Sequence, residues 1–229
     1  MKICKEYRGY EAGNGVYLIH TNCADIGVCF VTDEIVRVRV SFDKEMAEES
    51  YILSTTAWED RLDGLFAGER TRKEPAPAVV EETAESLEFT TPALRLSMQK
   101  DPLCFKLYDG EGTLLYSDIE GNPFIQDSNL RVNHYSQMQG EEECYYGFGE
   151  KAGLLNKNKT FLRQRATDAM GYDAEKMDTL YKHIPFYIRM NRENKKAVGL
   201  FYNNFYESVF NMGCEKSNYP LYILAGGRR

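Results

Sequence analysis

The stretch Glu34-Ile35-Val36-Arg37-Val38-Arg39-Val40-Ser41 decides the fold class. Val36, Val38 and Val40 alternate with Arg37 and Arg39, so a period of two places three β-branched side chains on one face and two guanidinium groups on the other. A helix would scatter these residues around its axis, whereas an extended strand separates them into an apolar and a polar side.

The same short alternation, bounded by turn residues, recurs along the chain. Val16 to Ile19, Gly27 to Val31, Leu87 to Thr90, Leu94 to Met98 and Phe105 to Tyr108 read as strands. Asp109-Gly110-Glu111-Gly112 supplies glycines for the positive φ of a tight hairpin, with Thr113 to Tyr116 as the returning strand. Ile184 to Met190, Val198 to Tyr202 and Tyr206 to Phe210 follow. The polar run Arg189 to Lys196 reads as the loop of a hairpin between the first two of these. Met46 to Ser50 and Ala57 to Phe66 are candidates for short helical turns, and Ala67 to Ala78, with two prolines, reads as a loop. Many short strands at turn-length spacing predict an all-β fold, an antiparallel β-sandwich with few short helices. At 229 residues the expectation is a single domain over residues 1–229.

Bulk properties exclude several function classes. The formal net charge is −7, and no Lys/Arg cluster is dense enough to track a phosphate backbone, so no nucleic-acid partner is expected. The longest apolar-rich run, Ile26 to Val31, is too short to span a bilayer, and Met1 to Arg8 lacks an apolar signal segment; no membrane partner and a cytoplasmic location are expected. Six cysteines (Cys4, Cys23, Cys29, Cys104, Cys144, Cys214) form no C-x-x-C pair and sit mostly among apolar neighbours, which favours buried free thiols. Asn158-Lys159-Thr160 fits a glycosylation pattern to which no role is given.

Gly147-Phe148-Gly149-Glu150-Lys151-Ala152-Gly153 has the glycine density of a phosphate loop but no following helical periodicity and no Gly-Lys-Ser/Thr ending. Its glycines read as strand-end and turn positions. His20, His134 and His183 stand far apart with no Cys or carboxylate at ligand spacing, so neither a metal nor another cofactor is expected. His183, at the start of an apolar run, reads as a satisfied structural residue.

Asp168, Asp173, Glu175 and Asp178 cluster in one loop with Gly171 as its hinge. A solvated surface loop explains the composition, yet Met170 and Tyr172 are poorly suited to plain solvent. A tyrosine beside a carboxylate suits a sugar, whose ring stacks on aromatics and whose hydroxyls donate to carboxylates. Tyr145, Tyr146, Tyr172, Tyr181, Tyr187, Tyr202 and Tyr206 fall in the same third of the chain, where they line either a core or a groove.

The ordered series Tyr146-Gly147-Phe148-Gly149-Glu150, Ala166 to Asp173, Leu180-Tyr181-Lys182-His183-Ile184-Pro185-Phe186-Tyr187-Ile188 and Gly199-Leu200-Phe201-Tyr202-Asn203-Asn204 resembles the end of the N-terminal β-sandwich domain of glycoside hydrolase family 31, the α-glucosidase family. Glu34 to Ser41 and Thr91 to Asp109 resemble earlier strands of that domain, so the resemblance covers most of the chain in order. It implies a galactose-mutarotase-like sandwich followed, after residue 229, by a (β/α)-barrel that carries both catalytic aspartates of a retaining mechanism. Neither barrel motif lies in these residues, so no catalytic residue is assigned here and the chain's own enzymatic status is left open. By position in its motif, Asp168 matches an aspartate that a sandwich loop, here 166–178, lends to the sugar pocket, with Tyr172 beside it. Arg165 and Ala166 stand where the family usually has an aromatic residue and an asparagine. The implied partners are an α-glucoside and the barrel of the same or a companion chain. An apolar face meant for that barrel would also allow a homo-oligomer. The rival readings are a free-standing carbohydrate-binding module and a mutarotase-like isomerase using His134 or His183 with a glutamate.

Overall fold

The structure is a computed structural model that describes residues 1–46, 52–53, 55–56, 71–173, 175–178, 180–204, 206–214 and 221–225. The two expected helical turns lie almost wholly outside them. Among the described residues no helix occurs, and none is therefore long and apolar enough to cross a membrane. Apart from the terminal residues the chain divides into two compact units, Lys2–Leu114 with Glu120–Phe124, and Leu115–Ile119 with Ile125–Arg228.

The first unit contains β1 (Lys2–Cys4), β2 (Tyr7–Gly13), β3 (Val16–Thr21), β4 (Asp25–Thr32), β5 (Ile35–Ser41), β6 (Thr55–Thr56), β7 (Thr71–Arg72), β8 (Val79–Glu82), β9 (Ser86–Thr90), β10 (Leu94–Lys100) and β11 (Leu103–Asp109). Strands β2 to β5 form one antiparallel meander and β8 to β11 another, while the two-residue β6–β7 pair is parallel. In the second meander Leu96 stands between Phe89 and Leu107, and Met98 between Leu87 and Phe105. All six are buried, so period-two patterning places one continuous apolar row on the inner face. Each such side chain contributes roughly 1.5–3 kcal/mol on burial. Tyr17 of β3 packs its ring 5.0 Å from that of Phe89 and donates its hydroxyl to the Ala78 carbonyl at 3.1 Å, joining the two meanders as layers.

Two details differ from expectation. Val36, Val38 and Val40 do lie in a strand, but they and the intervening arginines are all half-buried, so the two faces of β5 differ less than their chemistry. In the hairpin after β11 only Gly112 has positive φ (84°); a Cβ on Gly110 would meet the Pro92 carbonyl at 3.0 Å, so close backbone approach explains that glycine.

β12 (Leu114–Ser117) and β13 (Phe124–Gln126) straddle the division. The second unit continues with β14 (Val132–Ser136), β15 (Glu143–Gly149), β16 (Phe161–Gln164), β17 (His183–Asn191), β18 (Lys196–Phe201), β19 (Ser208–Asn211) and β20 (Leu221–Ala225). Here β14, β20, β19 and β16 pair in that order, and β15, β17 and β18 make a separate antiparallel sheet. The expected hairpin is present, with Phe186 opposite Phe201. Its loop is shorter than expected, because Arg189 to Asn191 and Lys196 belong to the strands. Arg189 points inward, its charge held by Glu143 of β15.

Of the glycine-rich segment, Gly147 and Gly149 stand at the end of β15, as expected, and Gly153 lies beyond the strand at φ 81°. A bulge between Gly147 and Gly149 in β15 carries Phe148 at φ 70°, which turns its ring inward. That ring stacks on Tyr187 at 4.9 Å and meets Phe210 edge-on at 5.1 Å. Tyr145, Phe148, Leu162, Tyr187, Phe210 and Met212 form the core of this unit.

Candidate functional site

Between β16 and β17 the chain makes the excursion 165–182, which contains the sequence-predicted loop 166–178. Its base is closed by several independent bonds. The Thr167 amide donates to the Leu180 carbonyl at 3.1 Å. Glu150, just after β15, donates its amide to the Lys182 carbonyl at 2.8 Å and accepts the Lys182 amide on Oε2 at 3.1 Å.

The four carboxylates divide by role. Asp173 accepts the Glu175 amide on Oδ1 at 2.9 Å and shapes a turn. Asp178 accepts the Arg163 amide on Oδ2 at 2.7 Å and lies 3.7 Å from the Lys151 ammonium. Asp168 and Glu175 are exposed. Asp168 accepts the phenolic hydrogen of Tyr181, and this bond raises the Tyr181 pKa. Met170, Tyr172 and Tyr181 expose 84%, 53% and 61% of their surface, so the excursion presents a carboxylate among uncovered apolar groups. Tyr172, left between core and groove by the sequence, is at the surface. Tyr181 is the carboxylate partner that reading did not assign.

The other tyrosines of this third separate cleanly. Tyr145 and Tyr187 are core residues, Tyr146 and Tyr202 are half-buried, and Tyr206 is exposed. On β17 the inward positions are Pro185, Tyr187 and Arg189, which leaves Ile184, Phe186 and Ile188 outward and exposed. Phe201 of β18 joins them, and the Phe186 ring covers Gly199 so closely that a Cβ there would stand 2.9 Å from it. The outer face of this sheet is therefore apolar.

Of the three histidines, His134 is engaged at both ring nitrogens: Nε2 with Asp118 at 2.8 Å and Tyr116 at 3.0 Å, Nδ1 with the Tyr202 hydroxyl at 3.0 Å. Burial, with Asp118 close by, pushes the Tyr116 phenol well up, and burial does the same for Tyr202. This is a closed hydrogen-bonded cluster around a side chain only 18% exposed. His183 departs from its expected satisfaction, since its Nδ1 is buried with no hydrogen-bond partner among the described residues. Among the described residues no three His, Cys, Asp or Glu side chains converge to hold a metal ion. Cys4, Cys29, Cys104 and Cys144 are buried free thiols, as expected, whereas Cys23 is half-buried and Cys214 exposed.

Comparison with known proteins bears on this geometry. Residues 25–211 match the family described as the glycosyl hydrolase 31 N-terminal galactose mutarotase-like domain. The chain is 25% identical over 205 residues to α-glucosidase 2 of Bacillus thermoamyloliquefaciens, covering 89% of this chain and 24% of that protein. Among solved structures, a family 31 dextranase of Flavobacterium johnsoniae, complexed with glucose, superposes with a TM-score of 0.78 at 23% identity, over 99% of this chain and 27% of that one. The cycloalternan-forming enzyme of Listeria monocytogenes, in complex with a pentasaccharide substrate, gives 0.72 at 17% identity, over 98% and 20%. The chain thus spans about a quarter of the length of these relatives. With a family match across most of its length and the same all-β architecture, the chain belongs to the glycosyl hydrolase 31 N-terminal galactose mutarotase-like domain family.

Proposed function

We propose that this chain is the non-catalytic N-terminal β-sandwich of an α-glucosidase, one domain over residues 1–229, whose loop 166–178 shapes the substrate pocket of a (β/α)-barrel supplied by the same or a companion chain. The observation that carries this reading is Asp168 itself, an exposed carboxylate oriented by Tyr181 on a loop whose base is tied down. Ionised carboxylates accept hydroxyl hydrogens in charge-assisted bonds, and the exposed Tyr172 ring adds an apolar surface for a pyranose.

Asp168 serves binding and orientation, not proton transfer. Retaining glycosidases flank the scissile bond with two carboxyl groups, and Asp173 and Asp178 are committed to holding the loop. The apolar outer face of β15, β17 and β18 supports a polypeptide partner, because uncovered apolar surface of this kind marks an interaction site. The relatives' additional length supports a barrel as that partner, and their glucose and oligosaccharide complexes support an α-glucoside as ligand. The buried free thiols support a cytoplasmic location, where thiols stay reduced.

The test is Asp168→Ala in the complete enzyme. KM is expected to rise on the order of tenfold, equivalent to roughly 1.4 kcal/mol of lost binding, with the melting temperature unchanged. Unchanged kinetics across substrates of several lengths would remove the assigned role. Millimolar or tighter binding of glucosides by the 229-residue chain alone, measured by calorimetry, would favour the free-standing binding module instead.

A further inference from the structure

Lys151 is a cation placed where few cations are found, with a side chain only 1% exposed. It lies two residues beyond the end of β15, outside the excursion it touches. Its ammonium donates to the Arg163 carbonyl on the outgoing stem and to the Asp178 carbonyl on the returning stem, the latter at 3.2 Å. It also stands 3.7 Å from Asp178 Oδ1. Asp178 in turn takes the Arg163 amide on Oδ2 at 2.7 Å, so the two stems are bonded to each other and both are bonded to Lys151.

Two further observations make Lys151 the centre of this arrangement. Asp178 Oδ1 is buried and receives no hydrogen bond among the described residues, so the nearby ammonium is its compensating charge. Lys157 donates to the Lys151 carbonyl at 3.3 Å and to the Ala152 carbonyl at 2.7 Å, which fixes the backbone from which Lys151 extends. The charged groups acting on the Lys151 ammonium are Asp178 and Lys157. Burial pulls the Lys151 pKa down, Asp178 opposes that shift, and Lys157 adds to it.

We propose that Lys151 is a positioning residue for Asp168: through Asp178 and the Arg163 carbonyl it locks the two stems of the excursion together, so that the sugar-contacting carboxylate is presented in one fixed place. This rests on the reading of Asp168 as a sugar contact. The locking itself does not, and the two parts separate by experiment.

The locking is tested on the 229-residue chain by amide hydrogen exchange, comparing the original with Lys151→Met, which keeps the stem length and removes the charge, and with Asp178→Asn. Exchange at the Arg163 and Thr167 amides is expected to speed up on the order of tenfold or more in both variants, while β10 amides keep their rates. Lys151→Arg should restore part of the protection. Unchanged protection at Arg163 in Lys151→Met overturns the locking. If Lys151→Met also loses β10 protection, Asp178→Asn decides alone on the same two amides.

The positioning is tested in the complete enzyme by KM and kcat. Lys151→Met is expected to raise KM in the same direction as Asp168→Ala, and the double variant to be no worse than Asp168→Ala. A KM raised by Asp168→Ala and untouched by a Lys151→Met variant whose loop exchange is fast overturns the positioning role. If neither substitution changes KM, the sugar-contact reading fails and the positioning role fails with it, while the exchange result still establishes the locking.

Discussion

Tyr181 donates its phenolic hydrogen to Oδ1 of Asp168, thirteen residues before it, across the mouth of an exposed excursion. The bond fixes one oxygen of a carboxylate that is exposed on the excursion.

The bond sets a titration that can be measured. An anionic acceptor favours the protonated phenol, so the Tyr181 pKa lies above its usual value because of Asp168, with slight burial adding to it. Asp168→Asn removes the negative charge and should move the Tyr181 midpoint back towards 10. Carbon-13 ring shifts followed through alkaline pH, with Tyr181→Phe assigning the resonance, measure this. An unmoved midpoint would mean that the two side chains do not meet in solution.

A second prediction concerns two glycines of equal appearance in the sequence. A Cβ at Gly147 would stand 2.6 Å from the Phe186 carbonyl oxygen, at φ 129°. At Gly171, φ is 69° and a Cβ meets nothing within 4 Å. Gly147→Ala therefore combines backbone strain with a collision against the neighbouring strand, and should cost about 3 kcal/mol or more. Gly171→Ala carries the left-handed penalty alone, about 1 kcal/mol. Urea denaturation of the two variants should rank them in that order, and equal midpoints would contradict the bulge in β15.

The same bulge shows what the sequence does and does not disclose. Period-two alternation identifies β5 and β10, because apolar and polar side chains alternate along them. β15 is hidden, because Gly147-Phe148-Gly149 has turn chemistry and becomes a strand only through pairing with β17. On β17 both faces are apolar, so alternation cannot show that Tyr187 points inward and Phe186 outward. The excursion was legible as a loop from its carboxylates and Gly171, and Asp168 was singled out within it by its motif position alone. Lys151 and Tyr181 were not, since their roles depend on contacts 27 and 13 residues away. A charged residue in a strand reads as solvated, and only the fold brings Glu143 to Arg189 from 46 residues away.

That pair gives the third prediction. Arg189 and Glu143 are each 1% exposed at the side chain. Arg189 donates to Glu143 and to the Gln137 carbonyl, while Glu143 accepts the Tyr145 hydroxyl at 2.7 Å and the Gln139 amide at 3.0 Å. Arg189→Met keeps the apolar stem but removes the guanidinium and leaves a carboxylate buried without a counter-charge, at a cost of about 3–5 kcal/mol. Adding Glu143→Gln removes the uncompensated charge and preserves an acceptor for Tyr145 and Gln139, so the double variant should regain a large part of that loss. The measurement is a double-mutant cycle by chemical denaturation. A double variant no more stable than Arg189→Met would show that packing of the arginine stem, and not charge compensation, is what the core requires at this position.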